Sequence, residues 1–299
     1  MSKPDFLGIG AARSGTTWLS AQLQQHPNVW MPRRKELHYF TRDPSYLSSS
    51  YLKEGGWINR LCSFDPDFKK FRYNLIKAMG RNIVSPNSQQ LSWDLKYYFR
   101  KPGNMWYKSL FDVPGEKVTG EITPAYGLLN DQGVKEVVEL LPDIKVFFIL
   151  RDPIERAWST IRYHEKRYGK KLTDMSTQDI KDYLSYAAIT ERSNYEMVIE
   201  RWEKILPDNQ FLVLWYDQIV EEPNAIRKSL FDFVGVSTEL LSDITENKQV
   251  NASLDKTMPS EIREYLVSEY KASIESLARR YPNSYPERWL SQQAECINS

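Results

Sequence analysis

A doubly wound α/β fold with a mainly parallel sheet and a P-loop-like nucleotide site is what this 299-residue chain predicts, and three observations predict it. Short apolar runs at 6–9, 117–121, 145–150 and 211–215 alternate with helix-period segments. Strands that alternate with helices imply a parallel sheet covered on both faces. The first run ends in a glycine-bounded turn, GIGAARSGTT at 8–17, and the third ends in RDPIERAWS at 151–159.

The run at 6–9 feeds a turn whose Gly10 and Gly15 stand in P-loop register, G-x-x-x-x-G. A helix pattern follows at 16–25, so backbone N–H groups at Ser14, Gly15, Thr16 and Thr17 are expected to face an anion. The P-loop lysine is absent, because Thr16 holds its position and the cation comes earlier, at Arg13. A metal-dependent phosphoryl-transfer enzyme would also place an acid at the end of another strand. Here the run at 145–150 ends on Arg151, which disfavours that chemistry, although Asp152 keeps it open.

The next strand, at 117–121, carries Glu121 into GEITPAY, where Pro124 stops the ladder. Glu121 and Thr123 are thereby expected at the crevice above the sheet, or Glu121 as a buried partner of Arg13 or Arg156. After a helix pattern at 132–141 and the strand at 145–150, Asp152 reads as an N-cap, Pro153 as the first helical position and Glu155 as the third. With that helix at 153–167, Arg151 just before it and Glu155 and Ser159 within it recur every four residues, so Arg151 and Ser159 share a face suited to a phosphate monoester. The plainer reading pairs Arg151 with a surface carboxylate and leaves Ser159 idle. Further helix patterns at 194–206, 224–234 and 261–280 complete the alternation, the last expected near the nucleotide edge.

Two anion grips about 140 residues apart suggest a nucleotide phosphorylated at both ends. With that in place, ARSGTTWL, the KEL tripeptide before His38-Tyr39-Phe40, GEITPAY and LRDPIERAWS together resemble the sulfotransferases that use 3′-phosphoadenosine 5′-phosphosulfate, PAPS. The motifs fall in family order to about residue 165, and a weaker likeness runs through 211–223 and 248–253. The likeness is mixed between the cytosolic branch and the branch that sulfates polysaccharides and bacterial products.

The resemblance implies that Arg13, Ser14, Gly15, Thr16 and Thr17 cradle the 5′-phosphosulfate, with Arg13 where many members have lysine. It implies Trp18 and Tyr216 beside the adenine, and Arg151 with Ser159 on the 3′-phosphate. The Arg-Lys-Gly run that closes over that phosphate in the cytosolic branch is missing, and Asn251, Ser253 or Lys256 are the candidates to replace it. It also implies Glu36 as the base that deprotonates the acceptor, with His38 as rival and Lys35 beside the transferring oxygens. The plain alternative is an exposed Glu36 paired with Arg33 or Arg34. Glu121, Thr123 and Tyr126 would line the acceptor side, and no metal is required.

The likeness makes the whole chain, 1–299, one sulfotransferase domain, with residues 43–116 as an acceptor-binding helical insert and 260–299 as a C-terminal helical segment. Between residues 69 and 108 of the insert, Lys69, Lys70, Arg72, Lys77, Arg81, Lys96, Arg100, Lys101 and Lys108 accompany a single acid, Asp94, in a chain whose net charge is +1. Aromatics from Phe71 to Tyr107 are interleaved. Such a band suits an anionic or sugar-containing acceptor, nucleic acid, or a solvated helical surface over an aromatic core. The expectation is a small-molecule or carbohydrate acceptor and no nucleic-acid partner. With 41% hydrophobic and 26% charged residues the chain is globular, and its apolar runs, 146–150 among them, are far short of a membrane span. The N-terminus lacks a signal-peptide core, and Cys62 and Cys296 have no metal-ligand spacing, so a cytoplasmic protein with free thiols is expected. The rival classes are a kinase with a degenerate Walker loop and an inactive nucleotide-binding module.

Overall fold

The computed structural model describes residues 2–48, 50, 52, 57–62, 66–168, 172–239 and 257–298. Five parallel strands form one sheet in the order β2-β3-β1-β4-β5: β1 Phe6–Gly10, β2 Val29–Trp30, β3 Val118–Ile122, β4 Lys145–Leu150 and β5 Phe211–Trp215. Four of these were anticipated. The two-residue β2 was not, because a pair of residues carries no periodicity to read.

Six helices match predicted ranges with boundaries shifted by up to three residues, and the others had no range of their own: α1 Thr16–Gln25 comes first, then α2 Trp57–Cys62, α3 Pro66–Val84, α4 Ser88–Phe99 and α5 Asn104–Ser109 in the insert. Next come α6 Asp131–Leu140, α7 Pro153–Tyr168, α8 Thr177–Leu184, α9 Ala187–Thr190, α10 Tyr195–Glu203, α11 Tyr216–Glu221 and α12 Pro223–Val234. The C-terminal segment holds α13 Ser260–Arg280 and α14 Tyr285–Asn298. Among the described residues no helix is long and apolar enough to cross a membrane.

Strand alternation sorts the core into two layers. On β4, Phe147 and Ile149 join Phe6, Trp18, Leu19, Leu23, Ile226 and Leu230, so α1 and α12 cover that face. Val146, Phe148 and Leu150 join Leu7, Ile9, Val137, Ile154, Trp158 and Ile199 on the other face, which α6, α7 and α10 cover. Most of these side chains are below 5% exposed, which is why the strands read as continuous apolar runs rather than alternating ones. α13 packs on α7, α8 and α10, so the C-terminal segment backs the helix that follows Arg151.

This order has one functional consequence. β1 sits between β3 and β4, so the chain leaves β1 toward one face and β4 toward the other, opening a crevice at their C-terminal ends. The segments that emerge there are 11–15 and 151–152.

Candidate functional site

The β1–α1 loop is built as an anion cradle. Gly15, at φ +88°, caps α1 in the left-handed region, and a Cβ there would lie 2.4 Å from Ile219 Cδ1 and 3.1 Å from the Tyr216 ring. Only glycine fits. Among the described residues no acceptor meets the N–H groups of Gly15, Thr16 or Thr17, and the first turn of α1 contains no acid. Arg13, itself left-handed at φ +72°, lays its guanidinium on the Tyr163 ring, 4.4 Å from the centroid, with its buried Nε unbonded. Ser14 is fully buried beside Tyr195.

The end of β4 meets this loop. Arg151 Nη1 donates to the Arg13 carbonyl oxygen at 3.1 Å, and the Arg151 guanidinium covers the Tyr216 ring at 4.4 Å. Burial lowers the Arg13 pKa, and the neighbouring charges of Arg151 and Arg162 lower it further. Neither Arg13 nor Arg151 forms an ion pair with a carboxylate among the described residues, so the plain reading of Arg151 as half of a surface pair does not hold. Cations crowded together on aromatic faces, with an orphaned N–H, fit an incoming polyanion.

Asp152 caps α7 as anticipated, accepting from the Ile154 N–H at 2.8 Å, and burial pushes its pKa up to about 7. Glu155 does not complete a reciprocal box. It meets Arg263 of α13 at 3.4 Å, because that guanidinium offers a stronger partner than a backbone amide. Ser159 is 3% exposed on α7. Trp18 is 7% exposed and packs in the core layer of α1 and α12.

The residue 35–38 segment forms the opposite wall. Lys35 Nζ donates to Thr17 Oγ1 at 2.7 Å, tying this wall to the cradle, and lies 3.8 Å from Glu36 Oε1. His38 Nε2 lies 3.5 Å from Glu36 Oε2. Lys35 and His38 are thus both partners of Glu36. Burial lowers the Lys35 pKa while Glu36 raises it.

Glu36 and His38 both adopt positive φ, 66° and 58°, a costly conformation for non-glycine residues. What holds them there is a buried clamp. Leu37 N–H donates to Glu121 Oε2 and Thr123 Oγ1, each at 3.1 Å, and Tyr39 N–H donates to the Tyr126 hydroxyl at 3.0 Å. Glu121 also accepts from Thr123 at 2.6 Å, Tyr107 at 2.7 Å and Tyr126 at 2.9 Å. Burial raises its pKa, and these donors oppose the rise. Expected on the acceptor wall, Glu121, Thr123 and Tyr126 lie beneath it, at 2%, 0% and 0% exposure. Nor is Glu121 a partner of Arg156, which donates to Ser193 Oγ and the Ile189 carbonyl. The strand end brings these residues to the crevice as predicted, but the 37–39 backbone covers them.

A cleft of about 260 Å³ opens from Lys35, Glu36 and His38 to the insert helices α3 and α4. Residues of the insert thus line this cleft together with the 33–38 segment. The insert's aromatics divide: Phe71, Trp93, Tyr97, Tyr98, Trp106 and Tyr107 are core, Trp93 stacking on Tyr97 at 5.2 Å, while Tyr73 is 63% exposed.

Three residues escaped the sequence reading. Tyr163 and Arg162 adjoin Arg13, and they continue the Arg151–Glu155–Ser159 stripe by three and four residues, a signal that was available. Arg192 faces Glu36, its pKa pushed down to about 10 by burial and then by Arg156. No local pattern announces it. Asn251, Ser253 and Lys256 lie outside the described residues.

A family model described as "Sulfotransferase family" matches residues 4–239. The chain is 27% identical to the membrane-associated sulfotransferase kil1 of Dictyostelium discoideum over 92% of its own length and 64% of that protein. It is 24% identical to the human heparan sulfate glucosamine 3-O-sulfotransferase 5 over 74% of its length and 50% of that protein. It thus spans less than two thirds of either relative. Among solved structures, a sulfotransferase from Alicyclobacillus acidocaldarius superposes with a TM-score of 0.63 at 20% identity, covering 97% of this chain and 99% of that one.

Proposed function

Since the chain belongs to the sulfotransferase family, we propose that it transfers a sulfuryl group from PAPS to an acceptor hydroxyl, less readily an amine, and releases adenosine 3′,5′-bisphosphate. The observation that carries this reading is the contact of the two anion grips, Arg151 on the backbone of Arg13, at the crevice between β1 and β4. One nucleotide with phosphates at both ends satisfies both.

In this reading the N–H groups of Gly15, Thr16 and Thr17 with Arg13 hold the 5′-phosphosulfate, and Arg151 with Ser159 holds the 3′-phosphate. Tyr216 flanks the nucleoside, and Lys35, anchored on Thr17, neutralises charge on the oxygens in flight. Glu36 accepts the acceptor proton as the new S–O bond forms. The bond from sulfur to the bridging phosphate oxygen breaks, and that oxygen leaves on the bisphosphate. His38 orients Glu36 or takes its place. The insert, residues 43–116, supplies the far wall of the acceptor cleft, and no residue of this scheme requires a metal.

The test is a nucleotide comparison by calorimetry or thermal shift. Adenosine 3′,5′-bisphosphate should bind far more tightly than adenosine 5′-phosphate, and Arg151→Ala should erase most of that preference, roughly 1.5–3 kcal/mol for a charge-assisted contact. Equal losses for both nucleotides would reject the 3′-phosphate assignment. Preference for ATP with magnesium would favour the kinase reading instead.

A further inference from the structure

The cleft beside Glu36 carries more positive charge than the sulfuryl donor accounts for. Its lining includes five cations and two carboxylates, in a chain whose net charge is only +1. One carboxylate is Glu36. The other, Asp94, is 2% exposed and accepts from Asn82 Nδ2 at 2.8 Å, so it is already engaged.

Helix α3 explains how the charge came to be there. Its residues fall on three faces at the 3.6-residue period. Phe68, Phe71, Leu75 and Ala78 are buried against the core. Tyr73, Ile76, Ile83 and Val84 face outward at 63–86% exposure. Asn74, Lys77 and Arg81, at i, i+3 and i+7, form the third face and line the cleft. A solvated helix surface intersperses acids among its lysines, whereas no acid falls between Asn74 and Arg81. Arg33, from the segment that carries Lys35 and Glu36, lines the same cleft. Among the described residues, no ion pair engages Arg33, Lys77 or Arg81.

We propose that Arg33, Lys77 and Arg81 form an acceptor subsite for a negatively charged group, so that the acceptor presents a hydroxyl to Glu36 and carries a carboxylate, sulfate or phosphate on the same small scaffold. The proposal rests on the reading of Glu36 as the base. Charges lining a cleft together with Trp93 and Tyr98 act through low-dielectric walls, which strengthens their pull on an anion. They also set its direction, drawing the acid toward α3 and leaving the hydroxyl at the Glu36 end. A neutral scaffold has nothing to offer the α3 end.

Matched acceptors test this. The protein, loaded with adenosine 3′,5′-bisphosphate, is titrated with 4-nitrophenyl β-glucoside, the corresponding glucuronide, and the 6-sulfate and 6-phosphate of the glucoside, using saturation-transfer NMR and calorimetry. The three acidic probes distinguish carboxylate from ester anions. At least one acidic probe should bind tenfold or more tighter than the neutral glucoside, with an advantage that shrinks as salt rises. The double variant Lys77→Gln/Arg81→Gln should lower that preference toward unity without altering bisphosphate affinity, and Lys77→Glu/Arg81→Glu should reverse it. All these positions are exposed, so the variants should fold. Equal binding of neutral and acidic probes, no binding of any probe at millimolar concentration, or a preference that survives the double variant would overturn the subsite. Loss of bisphosphate binding in the parent protein would instead strike the proposed function, so the two failures are separable.

Discussion

Tyr126→Phe removes one oxygen atom, and the structure assigns that atom two bonds. The Tyr126 hydroxyl donates to Glu121 Oε1 at 2.9 Å and accepts the Tyr39 N–H at 3.0 Å, in a fully buried setting. Phenylalanine fills the same space, so packing is nearly unchanged. A charge-assisted bond of this kind is worth about 1.5–3 kcal/mol, and an orphaned buried amide costs about 1–3 kcal/mol. Some of this is recovered by local shifts, so we expect a loss of about 2–4 kcal/mol, read as a lower urea midpoint at unchanged slope. Without the Tyr126 donor the Glu121 pKa, already raised by burial, should rise further. The ionised carboxylate then lies further above its unfolded reference in energy, so the defect should be larger at pH 8 than at pH 5. Catalysis should suffer through geometry. The freed 37–39 backbone no longer holds Glu36 and His38 at positive φ, and kcat should fall about 10–100-fold with bisphosphate affinity retained. Unchanged stability combined with a rise in acceptor KM alone would refute this account, because that pattern belongs to a side chain that touches the acceptor.

Other perturbations address the rest of the site. Glu36→Gln should lower turnover about 10²–10⁴-fold at constant bisphosphate affinity, and retained activity would pass the base role to His38. Gly15→Ala confronts a φ of +88° and a 2.4 Å approach to Ile219, so both melting temperature and bisphosphate affinity should drop, the left-handed conformation alone costing about 1–2 kcal/mol. Asp152, held near 7 by burial, is a raised carboxylate: its penalty is absent below its ordinary range near 4 and complete above 7. The parent protein should therefore lose melting temperature from pH 5 to pH 8 more steeply than Asp152→Asn, which keeps the cap. The same variant should flatten any weakening of bisphosphate binding over that interval, since an ionised Asp152 opposes an anion at Arg151. Parallel pH curves for parent and variant would contradict both expectations.

Much of the fold and part of the site were legible in the chain itself. Gly15 marks a left-handed cap, Asp152-Pro153 marks a helix start, and apolar runs mark buried parallel strands, all because backbone sterics and local hydrogen bonds operate over a few residues. The cradle and the β4 end follow directly from them. Tertiary structure decided what those pieces meet. Arg151 reaches the Arg13 carbonyl across 138 residues, and Glu121 reaches Leu37 across 84. Whether Glu121 would face an acceptor, an arginine or a backbone amide depended on which loop came to cover β3, and no local pattern encodes that. Likewise the cations of the insert gained a direction only when α3 buried its Phe71 face and turned Lys77 and Arg81 to the cleft. Local propensity sets the conformation of a segment; burial of apolar surface, summed over the whole chain, selects its neighbours.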